Sequence, residues 1–185
     1  MEENLKLRMY FFVPYNISEI QKSIQAGHAL GRYALKYGRK DPDHIVWNFL
    51  ENHETWVILN GGTTNDERDF EGIVAGTMNQ IGDALNENHI DFSYFHEPDL
   101  NHALTAICFI ADERVFDRER YPEFVNYFID NYRPSAPAEE IVKIRMLLFE
   151  QLKDIYSKHY KEWVRMIGGV KNEFLRDLLK DKRLA

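Results

Sequence analysis

The chain has 185 residues, 44% hydrophobic and 14% aromatic, a composition that excludes intrinsic disorder and leaves room for one core with an appendage. No apolar run approaches membrane-spanning length, and the opening MEENLKLRMYF lacks the basic-then-apolar order of a signal peptide; the expectation is a cytoplasmic protein with no membrane partner. Of the net charge of −7, residues 1–116 carry −9 (nine Lys and Arg against eighteen Asp and Glu) and residues 117–185 carry +2 (fourteen against twelve), so a nucleic-acid partner would need local basic patches or help from the tail.

In chain order, the period-two run LKLRMYFFVP predicts a first strand over residues 5–14. A helix follows over 18–37, opened by Ser18 and Gln21 at the spacing of a capping box. Gly38 and RKDPD close it and lead into a second helix over 43–52. TWVILNGG is the second strand, a third helix is expected over 70–88, and IDFSYFHEP and LTAICFIADERV are the last two strands. The order β-α-α-β-α-β-β predicts a three-layer α/β domain over residues 1–116 with a small four-stranded mixed sheet. The single cysteine, Cys108, lies inside the last strand. It reads as a small buried hydrophobe, and one cysteine forms neither an internal disulfide nor a cysteine-rich metal site, which suits a reducing compartment.

Beyond Val115 the pattern changes to a helical extension over residues 117–185. YPEFVNYFIDNYRPSAPAEE carries three prolines around a short amphipathic helix. From residue 138 the pattern is strongly helical up to Gly168 and Gly169, and a shorter helix follows. Ile141, Ile144, Leu148, Leu152, Ile155 and Trp163 form an apolar stripe that needs a partner surface. Packing on the domain of the same chain is the first expectation, and a homodimer through the same helices the second.

Within the first helix Gln21, Gln25, His28 and Arg32 fall on one polar stripe, which would line the rim of a cleft. Ile20, Ile24, Gly27 and Gly31 form the neighbouring stripe, read as the face that lets the helix approach the sheet. QKSIQAGHALG resembles the first helix of type II peptidyl-tRNA hydrolases, in which a lysine opens a Gln-x-x-His-Ala segment after the first strand; Gln25, His28 and Ala29 match in place. EPDLNHALTAICFI is similar to the end of that family's domain, where an acidic loop precedes a threonine-containing strand, here Glu97, Pro98, Asp99, Leu100 and Thr105. The resemblance covers about residues 6–113, and the chain also resembles small tailed-bacteriophage proteins similar to that family, which would place it in a host cytoplasm.

The resemblance implies hydrolysis of the ester of peptidyl-tRNA or a related aminoacyl ester, with no cofactor. Such a reaction needs an activated water and a stabilised oxyanion. Asp99 or Glu97 would orient or activate the water with His28 assisting, Lys22 would steady negative charge, and Thr105 would donate a hydrogen bond. The family's lysine aligns with Gln21, one residue before Lys22, a displacement of about 100° around a helix. Gln21, Gln25, Arg32 and Glu97 would hold substrate. LNGGTTND adds Gly61, Gly62 and Thr63 as a loop whose amides could approach an anion or nucleotide. His89, His96 and His102 lack the helical spacing of a metal site. The alternative reading is a non-catalytic, phage-type binding protein that uses the same cleft for a nucleotide or a host protein.

Overall fold

The computed structural model describes residues 5–64, 67–68, 73–147 and 149–185. It divides into two compact units, residues 1–113 with 178–185, and residues 114–177.

The first unit is built on a four-stranded mixed sheet in the order β2-β1-β6-β5, from β1 (Leu7–Pro14), β2 (Trp56–Gly62), β5 (Phe92–Glu97) and β6 (Ala103–Asp112). β1 runs parallel to β2 and antiparallel to β6, and β6 is antiparallel to β5. Consequently β1, β2 and β5 all point the same way. Two-residue strands β3 (Glu67–Arg68) and β4 (Ile73–Val74) pair separately as an antiparallel ribbon. The outer edge of β2 is covered by the chain terminus: Asn60 N–H donates to the Arg183 carbonyl at 3.0 Å and Ala185 N–H to the Ile58 carbonyl at 3.0 Å. This pairing satisfies part of an otherwise open strand edge.

One face of the sheet carries α1 (Glu19–Tyr33) and α2 (Ile45–Asn52), whose Ala26, Ala29, Tyr33, Val46 and Phe49 pack on Met9, Phe11, Val13, Ala106 and Cys108. α3 (Thr77–Glu87) lies on the other face, where Met78 reaches Phe12 and Gly61, and Gly82 faces Ile107. The expected three-layer α/β domain with a four-stranded mixed sheet is what forms. α1 ends earlier than the sequence pattern suggested, passing into a π-helical turn at Ala34–Gly38. There the Trp47 ring lies against Gly38, so closely that a Cβ at 38 would meet Trp47 at 2.7 Å. α3 is also shorter than expected; residues 70–72 of the expected helix lie outside the described residues.

The glycine stripe of α1 is a correction. Gly27 and Gly31 have nothing within 4 Å of where a Cβ would stand, and Ile20 and Ile24 are 75% and 50% exposed. The face turned to the sheet is Lys22, Gln25, Ala26, Ala29 and Tyr33. Alanine, not glycine, supplies the close approach. The cause lies in the sheet, whose largely apolar face selects the two alanines and the Tyr33 ring over the stripe interrupted by glycine.

The second unit contains α5 (Phe124–Tyr132), α6 (Ala138–Met146), α7 (Phe149–Ile155), α8 (Ser157–Met166) and most of α9 (Val170–Leu179), with the one-turn helix α4 (Glu113–Phe116) at its start. Its core gathers Phe124, Phe128, Ile144, Leu152, Tyr160, Trp163 and Ile167. The long helix expected from residue 138 is broken twice, at Leu147 with ψ 140° and at Tyr156 with φ −114° and ψ 38°. The apolar stripe is therefore not continuous: Ile144, Leu152 and Trp163 are buried, whereas Ile155 is 60% exposed. Leu148 lies outside the described residues. Arg176, 3% exposed, donates from Nη1 to the Arg114 carbonyl at 2.7 Å and from Nη2 to the Tyr121 carbonyl at 2.9 Å. It thereby ties the start of the unit to its end, and burial holds its guanidinium below the usual arginine range. Among the described residues no helix is long and apolar enough to cross a membrane.

Replacing Gly27 or Gly31 by alanine adds a methyl group in open space and removes backbone freedom from the unfolded chain. Each substitution is expected to raise unfolding stability by about 0.5–1 kcal/mol in urea denaturation. A loss of stability would restore the reading in which these glycines contact the sheet.

Candidate functional site

Of the resemblance-bearing residues, Gln25, Glu97 and Thr105 meet where the first half of α1 crosses the ends of β5 and β6. α1 opens with Ser18 as N-cap in a complete capping box: Gln21 N–H donates to Ser18 Oγ at 3.3 Å, and Ser18 N–H to Gln21 Oε1 at 3.0 Å. Gln21 is thereby turned outward and spent on the cap. Lys22, one position on, is turned inward and only 8% exposed, with its Nζ 2.8 Å from Glu19 Oε1. The one-residue displacement from the family pattern thus leaves a lysine, not Gln21, on the sheet side of the helix.

Gln25 lies one turn further along the same buried face and is the hub of a hydrogen-bond chain. Its Nε2 donates to Glu97 Oε2 at 2.6 Å, and its Oε1 accepts from Thr105 Oγ1 at 2.7 Å. The amide orientation follows from the partners, because a carboxylate only accepts. Thr105, 1% exposed, reaches Gln25 because the β5–β6 register skips between Phe95 and His96, pairing Phe95 with Ala106 and His96 with Leu104. Thr105 is the extra residue of that bulge. Both it and Ala106 serve the α1 face, while Leu104 and Ile107 face the other way. Glu97 ends β5 and caps the 3-10 turn Pro98–Leu100, its Oε1 accepting from Asp99 N–H at 3.5 Å. Asp99 itself is exposed on that turn.

His28 and Arg32 belong to a different contact. The His28 ring stacks on Phe95 with centroids 4.5 Å apart, and the Arg32 guanidinium lies over the same ring at 4.8 Å. The single polar stripe expected along α1 is therefore three separate things: Gln21 in the cap, Gln25 in the buried chain, and His28 with Arg32 on an aromatic plate. A Phe95 platform under two polar residues was not legible in the sequence, since only the strand register brings it beneath α1.

Gly61, Gly62 and Thr63 stand at the end of β2, at the same end of the sheet as Glu97 but on the opposite edge. Three interstrand spacings put about 14 Å between the two edges. The loop is held by the protein's own side chains. Gly62 N–H donates to Asn60 Oδ1 at 2.8 Å, Thr63 N–H to Thr77 Oγ1 at 2.8 Å, and Thr77 Oγ1 to the Gly61 carbonyl at 2.8 Å. Residues 65–66 of the expected loop lie outside the described residues.

A further cleft, of about 520 Å³, opens on the other face of the sheet between α3 and β5, lined among others by Asn79, Asp83, Asn86, Phe92, Tyr94 and His96. The sequence carried both halves of it, as an i, i+4, i+7 polar stripe in α3 and an alternating aromatic row in β5. Their distance in the chain concealed that they face one another. Among the described residues no three His, Cys, Asp or Glu are grouped to hold a metal ion.

No protein-family model matches this chain, and no curated protein matches it.

Two stability outcomes follow from these contacts. Gly62 combines φ +81° with a position where a Cβ would strike Thr77 Oγ1, so Gly62→Ala is expected to cost about 1–3 kcal/mol in urea denaturation. Thr105→Val leaves the buried Gln25 Oε1 without its donor and is expected to lower stability by about 1–3 kcal/mol in the same measurement. A neutral result for Thr105→Val would mean that the buried chain does not hold α1 on the sheet.

Proposed function

We propose that this protein is an esterase of the type II peptidyl-tRNA hydrolase kind, cleaving the ester of peptidyl-tRNA or a related aminoacyl ester where α1 meets β5 and β6. The observation that carries the reading is a lysine and a glutamine side by side on the sheet-facing side of α1, 8% and 5% exposed, with the glutamine bonded to Glu97. Buried polar groups of this kind are uncommon and gather where chemistry needs them.

In the proposed reaction Glu97 takes the proton of a water that attacks the ester carbonyl, and Lys22 steadies the negative charge that develops on the carbonyl oxygen. The adduct collapses with cleavage of the ester C–O bond as Glu97 returns that proton to the leaving ribose oxygen. Gln25 and Thr105 act as positioning residues: the single hydroxyl proton of Thr105 goes to Gln25, which in turn fixes the Glu97 carboxylate. A partner with a phosphate backbone also finds cations here despite the acidic composition. Arg32, Lys36, Arg39 and Lys40, further along α1 and the turn after it, are four of the nine Lys and Arg of residues 1–116, and no Asp or Glu lies between 32 and 40.

A second reading, a non-catalytic protein that binds a nucleotide or a host protein at the same place, is favoured by one observation. Both functions of the Gln25 amide are already bonded within the chain, which leaves none for a reacting ester.

The test is single-turnover hydrolysis of peptidyl-tRNA by the purified protein. Glu97→Gln is expected to lower the rate by about 10²–10⁴-fold, the range for loss of a general base. Lys22→Met, which keeps the packed aliphatic stem and removes the charge, is expected to lower the rate with unfolding stability nearly unchanged. Parent-like hydrolysis by both variants would refute the assigned roles, and absence of hydrolysis by the parent would favour the binding reading.

A further inference from the structure

The cleft between α3 and β5 is separate from the Gln25 chain, since it lies across the sheet from α1. Its floor is a row of rings at alternate positions of β5. Tyr94 is 45% exposed; Phe92 lies beside it with centroids 6.2 Å apart, and His96 meets it edge-on at 5.4 Å. Large aromatic surface left open on a strand is a stacking platform rather than core. Below it, Leu104 and Ile107 close the bottom, and Gly82 keeps the α3 side free of a side chain. A Cβ there would meet only Ile107 Cδ1, at 3.7 Å.

The wall opposite the platform is polar. Asp83 and Asn86 project from α3 one turn apart, and the Asp83 carboxylate makes no hydrogen bond or ion pair within the described residues. His96 Nδ1 lies 2.7 Å from the His102 carbonyl, which accepts only, so Nδ1 carries the proton and Nε2 is left as an acceptor in the neutral ring. Among the described residues no Lys or Arg lines the cleft, and the Lys36 Nζ lies 5.3 Å from the centroid of the lining Phe92 ring. The lining itself suits a flat ligand that presents N–H donors. The volume lies within the range of small-molecule sites.

Among the four RNA bases, guanine alone presents two adjacent, parallel N–H donors, N1–H and the N2 amino group, which match the two oxygens of one carboxylate. We propose that this cleft is a binding site for a guanine base, stacked on Tyr94 with its N1–H and N2 amino group donating to Asp83. The Asn86 amide can donate to the acceptor O6. The base arrives either as a free nucleoside or as an unpaired guanine in an RNA strand, and the recognition chemistry is the same.

The experiment is a titration of the full chain, followed by amide and aromatic resonances, with guanosine, inosine, adenosine and a short unpaired oligoribonucleotide containing one guanine. Guanosine is expected to shift Tyr94, Asp83 and Asn86 at concentrations up to about 1 mM, an affinity typical of one stacked and hydrogen-bonded base. Inosine, which lacks the N2 amino group, is expected to bind at least about five-fold more weakly, the loss of one hydrogen bond to a charged acceptor. Tyr94→Ala is expected to weaken guanosine binding about ten-fold, and Asp83→Asn to remove the preference over inosine. Gly82→Leu, which fills the cleft from a helix position favourable to leucine, is expected to abolish binding with the fold retained.

Shifts from guanosine identify a free nucleoside as ligand, and shifts from the oligonucleotide alone identify a base in RNA; both support the site. Equal binding of inosine and guanosine, parent affinity in Tyr94→Ala, or the absence of shifts from both guanosine and the oligonucleotide overturns it. The readout is binding rather than ester hydrolysis, so this outcome and that of the proposed esterase reaction stand apart.

Discussion

Strand β1 has to be covered from both sides. Met9, Phe11, Phe12 and Val13 are fully buried, on alternate faces of the sheet, so neither face can be left to water without losing about 1.5–3 kcal/mol for each large side chain. α1 and α2 answer for one face and α3 for the other. Placing α1 close to the sheet requires small side chains at its contact line, and Ala26 and Ala29 provide them. Once those two face inward, helical geometry carries Lys22 and Gln25 inward as well. The buried polar groups are thus a consequence of the core, and their desolvation must be met by partners. The Thr105 bulge and the Glu97 carboxylate meet it for Gln25, and Glu19 meets it for Lys22.

The two faces of the sheet end up with opposite characters for a geometric reason. A helix is about 10–12 Å across, and four strands span about 14 Å between the outer axes. α1 crosses β5 and β6 while α2 completes the cover on its side. On the other side α3 sits over β2, β1 and β6. The far face of β5 is left uncovered, which exposes Tyr94 and opens the cleft. One face has its buried Gln25 and Lys22 bonded internally; the other has aromatic rings and a carboxylate that has no partner among the described residues.

The helical unit solves a different problem. Its core is dominated by rings, with Phe124 against both Tyr160 and Trp163 at centroid distances of 5.3 and 5.8 Å. Ring packing leaves carbonyls near the chain entry that water does not reach easily. Arg176 and the Trp163 indole N–H, which donates to the Pro122 carbonyl at 2.9 Å, fill that need. The arginine also lies 5.6 Å from the Trp163 ring centroid, which offsets part of the cost of burying its charge.

Element type and order were written in local patterns, and the sequence determined them. Period-two, β-branched and aromatic runs mark all four main strands, the capping box of Ser18 and Gln21 starts α1 where expected, and the character of the chain changes close to Val115. The pairing of Gln25 with Glu97 and Thr105 was not legible in any local pattern, because 72 and 80 residues separate them. Tertiary structure decided which side of each element is inside. The apolar sheet chose alanines over glycines on α1 and so put Lys22 inward; a one-residue bulge turned Thr105 toward the helix; breaks at Leu147 and Tyr156 divided a continuous helical pattern. Each of these depends on a rotation of about 100° per helix residue or a flip per strand residue, and only the packing of distant segments sets that rotation.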